Sequence, residues 1–318
     1  MKKALKITGL AAGVLILIIS LAIAWFQLKP LPTYDVVDSG LKVEVTPERV
    51  HTGALISANL CAVCHMADDG TLSGRQIEDV DGLGKIYSAN ITQHKVYGIG
   101  HYTDGELFYL FRTGVKRDGH LVLPMMFSSL QMSDEDLFSL IAFLRSDDPA
   151  VQPSENIIPR YKQTFLSKML FNLAFKPLPW SGTPVVAPDK NDRIAYGAYL
   201  VKGRHMCYEC HSGSFETNDP INPENSARYL GGGTEFLDIR TGEVITIPNI
   251  TPDPEHGIGD YSLEEFITAV KYGKNNEGRM LRFPMMPFAG VDSSDITAIY
   301  QYLQTVPQLG PPTEAANM

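Results

Sequence analysis

The stretch Cys61-Ala62-Val63-Cys64-His65 recurs later in the chain as Cys207-Tyr208-Glu209-Cys210-His211. Together the two pentads use all four cysteines. Two cysteines three apart on one helical turn present their sulfurs side by side, at a spacing that suits addition across the two vinyl groups of a haem. The histidine that follows then lies beneath the iron and offers it a ring nitrogen. The pattern predicts two covalently bound haem c groups. Cys61, Cys64, Cys207 and Cys210 would carry the thioethers, with His65 and His211 as proximal iron ligands. Zinc binding or dithiol redox chemistry at each Cys-x-x-Cys is the rival reading, and it leaves the following histidine without a role. No cysteine is left for a disulfide framework.

Working outward from the pentads, the same order of segments runs twice. Arg49 to Leu55 matches Arg193 to Tyr199, a short helix with a central glycine leading into each pentad. That glycine costs helix propensity of about 1 kcal/mol, which close packing of another helix would offset. Asn90-Ile91-Thr92 matches Asn249-Ile250-Thr251, and Gly98-Ile99-Gly100 matches Gly257-Ile258-Gly259. A helix is predicted from near Thr103 to Gly114, and its counterpart from near Ser262 to Gly273, the glycines serving as C-terminal stops. Pro124-Met125-Met126 and Pro284-Met285-Met286 follow. A last helix closes each copy, capped by Ser133 and by Asp292. A short hairpin is expected in the second copy only, around residues 231–247. The fold class read from this pattern is all-α: two tandem cytochrome c-like domains with long loops, preceded by an N-terminal transmembrane helix. The boundaries are 1–29 for the anchor, 30–46 for a Pro-punctuated tether, 47–146 for the first domain and 147–191 for a connecting segment. The second domain spans 192–307, and 308–318 is a tail.

A sixth ligand closes haem iron to other molecules, and methionine sulfur in that position raises the reduction potential. Each copy offers two repeat-matched candidates, Met125 or Met126 and Met285 or Met286. His94, His101, His120, His205 and His256 do not recur at equal repeat positions and are read as surface or loop residues. The amides of Asn90 and Asn249 have two expected uses: donating to haem propionates, or closing a plain Asx-turn.

Before the first repeat, Ile7 to Leu28 is a run of 22 uncharged residues behind Lys2, Lys3 and Lys6. It is long enough to span a bilayer, and the lysines predict that the rest of the chain is exported. The expected location is therefore a bacterial inner membrane, single-pass, with the haem domains on the periplasmic side. A cleaved signal peptide is the alternative, since Ala22-Ile23-Ala24 is an A-x-A site. Beyond the leading lysines the chain has 24 basic against 36 acidic residues. Such an acidic body argues against nucleic acid as a partner. Within the connecting segment, Tyr161 to Phe175 is apolar and flanked by Lys162, Lys168 and Lys176. It is expected to be a strap packed over the domains, with an amphipathic membrane-surface helix as the alternative.

Asn249-Ile250-Thr251-Pro252-Asp253, Gly257-Ile258-Gly259 and Phe283-Pro284-Met285-Met286-Pro287-Phe288 resemble the cytochrome c subunits of bacterial membrane-bound alcohol and aldehyde dehydrogenases. The resemblance covers roughly residues 47–145 and 193–306. Those subunits usually carry three pentads, against two here, and the first copy lacks the Pro-Asp after Asn90-Ile91-Thr92. The resemblance implies that Met286, and by repeat alignment Met126, is the distal iron ligand. It further implies an electron carrier, not an enzyme, that relays single electrons between a periplasmic donor and a respiratory acceptor. Expected partners are other redox proteins, such as a periplasmic dehydrogenase or a terminal oxidase. A two-haem enzyme, either a peroxidase or a sulfur-compound oxidase, is the alternative.

Overall fold

The computed structural model describes residues 2–80, 82–123, 130–238 and 241–311. It is rich in helix. In chain order the elements are α1 (Lys2–Leu28), α2 (Pro47–Leu60), α3 (Ala62–His65), β1 (Gln76–Val80), β2 (Gly84–Tyr87), α4 (Asp104–Thr113) and α5 (Asp134–Leu144). Then come α6 (Phe165–Leu173), α7 (Arg193–Tyr199), α8 (Cys207–His211), β3 (Glu235–Asp238), β4 (Glu243–Thr246), α9 (Leu263–Tyr272) and α10 (Ser293–Leu303).

The helix ends are set by local chemistry at repeat-matched positions. Thr103 and Ser262 each form a capping box, with Glu106 and Glu265 reaching back to the cap backbone N–H. Gly114 and Gly273 end α4 and α9 in the left-handed conformation, at φ 74° and 68°. Ser133 caps α5 and Asp292 caps α10, where the sequence places them.

The central glycines of α2 and α7 let a second helix approach to backbone contact. A Cβ on Gly53 would lie 2.0 Å from the Ser139 carbonyl oxygen on α5. On Gly197 it would lie 2.0 Å from the Ala298 carbonyl oxygen on α10. Around these crossings Ile56, Leu107, Leu137 and Ile141 are buried in the first copy, and Leu200, Phe266, Ile296 and Leu303 in the second, all within one hydrophobic cluster.

Two departures from expectation stand out. A hairpin occurs in each copy, not in the second alone: β1 pairs antiparallel with β2, and β3 with β4. In the first copy the Asp81-Gly82 dipeptide is itself a hairpin signal. Gly82 and Gly84 supply the positive φ values that the turn region needs, 80° and 82°. The chain before α2 also lies along the first repeat: Tyr34 N donates to Gly119 O at 2.8 Å, and Val43 N to the Asp104 carboxylate at 3.0 Å.

The connecting segment wraps the first copy. Tyr161 donates to Leu83 O at 2.8 Å, Leu178 N to Thr113 O at 3.0 Å, and Asp134 N to Val185 O at 2.8 Å. Phe171 of α6 is buried. The strap therefore covers one repeat in particular. α6 also packs against the end of α1, with the Phe165 and Phe26 rings 6.2 Å apart, edge to face.

Candidate cofactor sites

Each pentad sits on a single helical turn, α3 or α8, but the two are reached differently. From α2 the backbone runs straight on, with Cys61 N donating to Ser57 O at 2.8 Å. The path from Gly197 to Cys207 is two residues longer than that from Gly53 to Cys61. A π-helical turn over Leu200–Arg204 takes up the extra length. Met206 then adopts φ 47° to aim the chain into α8.

The cysteine thiols are not poised as nucleophiles or metal ligands. Burial pushes Cys61 up to about 11, and Cys207 and Cys210 up to about 12. Reactive thiols have the opposite shift. None of the four forms a disulfide, and among the described residues no group of three His, Cys, Asp or Glu side chains converges as a metal site would require. After burial and the charges of Glu209 and Cys207, Cys64 also raises the pKa of Cys210.

The histidines carry the most informative geometry. His65 Nδ1 lies 2.7 Å from Ala89 O, and His211 Nδ1 lies 2.8 Å from Pro248 O. A carbonyl only accepts, so Nδ1 must hold the proton and Nε2 the lone pair. Burial lowers both pKa values, outweighing the carbonyl bond that raises them, which keeps the rings neutral. Both histidines are half-buried. A neutral imidazole fixed through Nδ1, with Nε2 presented, is what an iron ligand needs. In both copies, therefore, the residues fit a thioether-linked haem.

The carbonyls that orient the histidines belong to the residues just before Asn90 and Asn249. Asn90 Oδ1 accepts from Thr92 N at 3.0 Å and from Thr92 Oγ1 at 2.7 Å. Its amide donates to Ser154 O at 2.9 Å and Asn156 O at 3.1 Å. Asn249 accepts from Thr251 N at 2.8 Å and donates to Leu309 O. Both side chains are buried and committed to backbone, so the Asx-turn is what forms and the propionate role is not supported. The glycines of Gly-Ile-Gly close over these turns: a Cβ on Gly98 would meet Thr92 O at 2.2 Å, and one on Gly257 would meet Thr251 O at 2.2 Å.

Of the methionine candidates, Pro124, Met125 and Met126 lie outside the described residues. In the second copy Met285 is half-buried and Met286 is 44% exposed. Their loop is tied to α9, with Leu281 N donating to Gly273 O at 2.7 Å and Phe288 N to Val270 O at 2.9 Å. It is also tied to the pentad, because the Phe288 ring meets His205 at 5.3 Å. His205 is thus no surface residue. It is 6% exposed, tucked in by the longer approach to Cys207, and burial pushes its pKa down to about 3.

Sequence reading missed a buried polar node between the copies. Arg204 donates to Asp136 through Nε at 2.8 Å and Nη2 at 3.0 Å, and through Nη1 to Asp295 at 3.2 Å. Asp136 and Asp295 occupy the same position in α5 and α10, three residues after the cap. Tyr199 donates to Asp136 and to Ser133 Oγ, and Tyr196 to Asp295. Burial alone would lower the Arg204 pKa, but its hydrogen bond and charge contact with Asp136 raise it on balance. Tyr196 and Tyr199 stand where the first copy has Thr52 and Leu55, and that exchange was the available signal.

Paired cysteines and an oriented neutral histidine, built twice, are the donor set that a thioether-linked haem requires. No family model matches the chain. It is 30% identical over 265 residues to the cytochrome c subunit of the quinone alcohol dehydrogenase of Komagataeibacter europaeus, covering 79% of this chain and 54% of that one. It is 31% identical over 281 residues to the fructose dehydrogenase cytochrome subunit of Gluconobacter japonicus, covering 83% and 55%. A diheme c-type cytochrome of Cereibacter sphaeroides is 25% identical over 313 residues, covering 95% of this chain and 99% of that one. The chain is a homologue of the cytochrome c subunits of bacterial dehydrogenases and of a diheme cytochrome c. It spans about half the length of the dehydrogenase subunits it matches.

Proposed function

We propose that this chain is a membrane-anchored two-haem relay, with one cytochrome c domain over residues 47–146 and a second over 192–307. It would pass single electrons between a periplasmic donor, such as a dehydrogenase, and a respiratory acceptor. Haem c, when bound, supplies the one-electron couple. The chain's own residues hold and tune it. Cys61, Cys64, Cys207 and Cys210 fix two cofactors covalently. His65 and His211 present Nε2 from rings locked by Ala89 O and Pro248 O. Met126 and Met286 would supply the remaining iron ligands and so leave no position for a substrate. The Arg204 node joins one repeat to the other through Asp136 and Asp295. Residues Ile7–Leu28 form the one described helix long and apolar enough to cross a membrane, and its side chains are not buried by the protein. As a single-pass anchor it would hold the domains on the periplasmic side of the inner membrane.

The matched histidine geometry carries this reading. A spectroelectrochemical titration of the full chain tests it. Two one-electron waves are expected, with low-spin ferric iron that cyanide and peroxide leave unchanged. A high-spin fraction that binds cyanide at once would instead support a two-haem enzyme. Met286→Ala should open the second site to cyanide and Met285→Ala should not; the reverse outcome reassigns the ligand.

A further inference from the structure

We infer that α6 and its flanking residues form a second membrane contact, a foot resting on anionic lipid headgroups. This rests on the reading of α1 as a membrane span.

The first observation is charge. The protein carries 36 acidic residues, yet residues 156–188 contain none, while Arg160, Lys162, Lys168 and Lys176 all fall in that stretch. The second observation is position. α6 meets α1 at its C-terminal end, where the apolar run stops. Phe165 packs on Phe26, and Lys168 Nζ donates to Gln27 O. At the same level Trp25 stacks edge-on against Phe26, and Lys29 sits over the Trp25 ring, 4.6 Å from its centroid. Trp beside Lys at the end of an apolar span is an interfacial arrangement. If Leu28 ends the span, α6 starts at headgroup depth.

The third observation is what α6 leaves uncovered. Its buried side holds Ser167, Phe171 and Asn172. Leu173 is 62% exposed, Leu166 is 36% exposed while packing beside Gly82, and Lys162 and Lys176 are exposed at either end. At a bilayer, the leucines enter the acyl boundary while the lysines reach phosphate oxygens, each basic residue adding affinity for an anionic surface. One span leaves a domain free to tilt and swivel about its tether. A second contact beside the span fixes which face of the first repeat looks toward the membrane.

The test uses the full haem-loaded chain in vesicles of phosphatidylcholine and phosphatidylglycerol. Spin labels are placed one at a time by Val14→Cys, Leu173→Cys and Val96→Cys. Collision with oxygen is compared with collision with a water-soluble nickel chelate. The label at 173 should favour oxygen, as the one at 14 does, while that at 96 favours nickel. Lys162→Gln combined with Lys176→Gln should reverse the preference at 173 without altering that at 14, and so should omitting phosphatidylglycerol. Nickel access at 173 with oxygen preference at 14 overturns the foot and leaves the anchor standing. Nickel access at both overturns both. Protection of 173 from both reagents marks a protein contact and overturns the foot. A depth at 173 that ignores both the lysines and the lipid charge overturns the headgroup assignment.

Discussion

Replacing Gly197 by alanine sets two effects against each other, and the structure says which wins. Alanine in the helix interior is favoured over glycine by about 1 kcal/mol. Its Cβ, however, would sit 2.0 Å from the Ala298 carbonyl oxygen and 2.9 Å from the Tyr302 Cβ. Relief requires α10 to retreat by roughly 1.4 Å, to ordinary van der Waals separation. α10 has nowhere to go, since Ile296, Ile299 and Leu303 on it are buried in the core. The obstacle is a backbone carbonyl, which cannot rotate aside as a side chain can. Overpacking of this kind costs about 1–3 kcal/mol, and more where backbone must move. The net expectation is a loss of about 1–2 kcal/mol, or roughly 2–6 °C in melting temperature for a protein of this size. Gly53→Ala should behave alike, its Cβ falling 2.0 Å from Ser139 O and 2.7 Å from the Phe143 Cβ. Thermal melts of the haem-loaded protein, followed by Soret circular dichroism, read the effect. A variant that melts at or above the parent temperature would mean that helix propensity dominates and that the close crossing is not a constraint.

Removing Arg204 as Arg204→Met leaves the Asp136 and Asp295 carboxylates buried without a cation, at a cost of about 3–5 kcal/mol; an unchanged urea midpoint would show that the node contributes nothing. Asn90→Ala strips two amide hydrogen bonds and the turn that presents Ala89 O, and should cost about 1–3 kcal/mol. It should also broaden the electron paramagnetic resonance signal of the first haem and spare the second; equal spectra would separate the turn from histidine orientation. Asp292, the cap of α10, is held below the usual carboxylate range by the Ser294 backbone N–H, and Ser294's side chain adds to this. A depressed native pKa stabilises above the unfolded value of about 3.9 and loses that contribution as pH falls through the native value. The melting curves of Asp292→Ala and the parent should therefore differ at neutral pH and converge below that window; a constant difference would show that the cap acts without its charge.

How much of this was readable in advance depends on the range of the interaction. Thr103, Ser262, Gly114 and Gly273 act within one helical turn, and each stands where local rules place it. Gly53 and Gly197 were legible because a repeated glycine in a helix calls for a packed neighbour. The hairpin β1–β2 was missed although Asp81-Gly82 announced it, because the strand residues around it are half polar. The Arg204 node was hidden for a different reason. Its members come from α5, α7, the π turn and α10, and only the packing of one repeat on the other makes them a unit. Asn90 and Asn249 were rightly singled out by the repeat, but no local pattern reveals that Ser154, Asn156 and Leu309 take their amides. The two-residue lengthening before Cys207 is countable in the sequence, but nothing local says that it turns His205 inward against Phe288.

The central claim is that the chain holds two porphyrins by covalent bonds at Cys61, Cys64, Cys207 and Cys210. Intact mass spectrometry of the purified protein tests it directly. The account predicts a mass raised by two haems that survives extraction with acidified acetone, falling to one haem in Cys207→Ser with Cys210→Ser. A protein that gives up its colour to the solvent, or whose mass carries fewer than two haems, would contradict it.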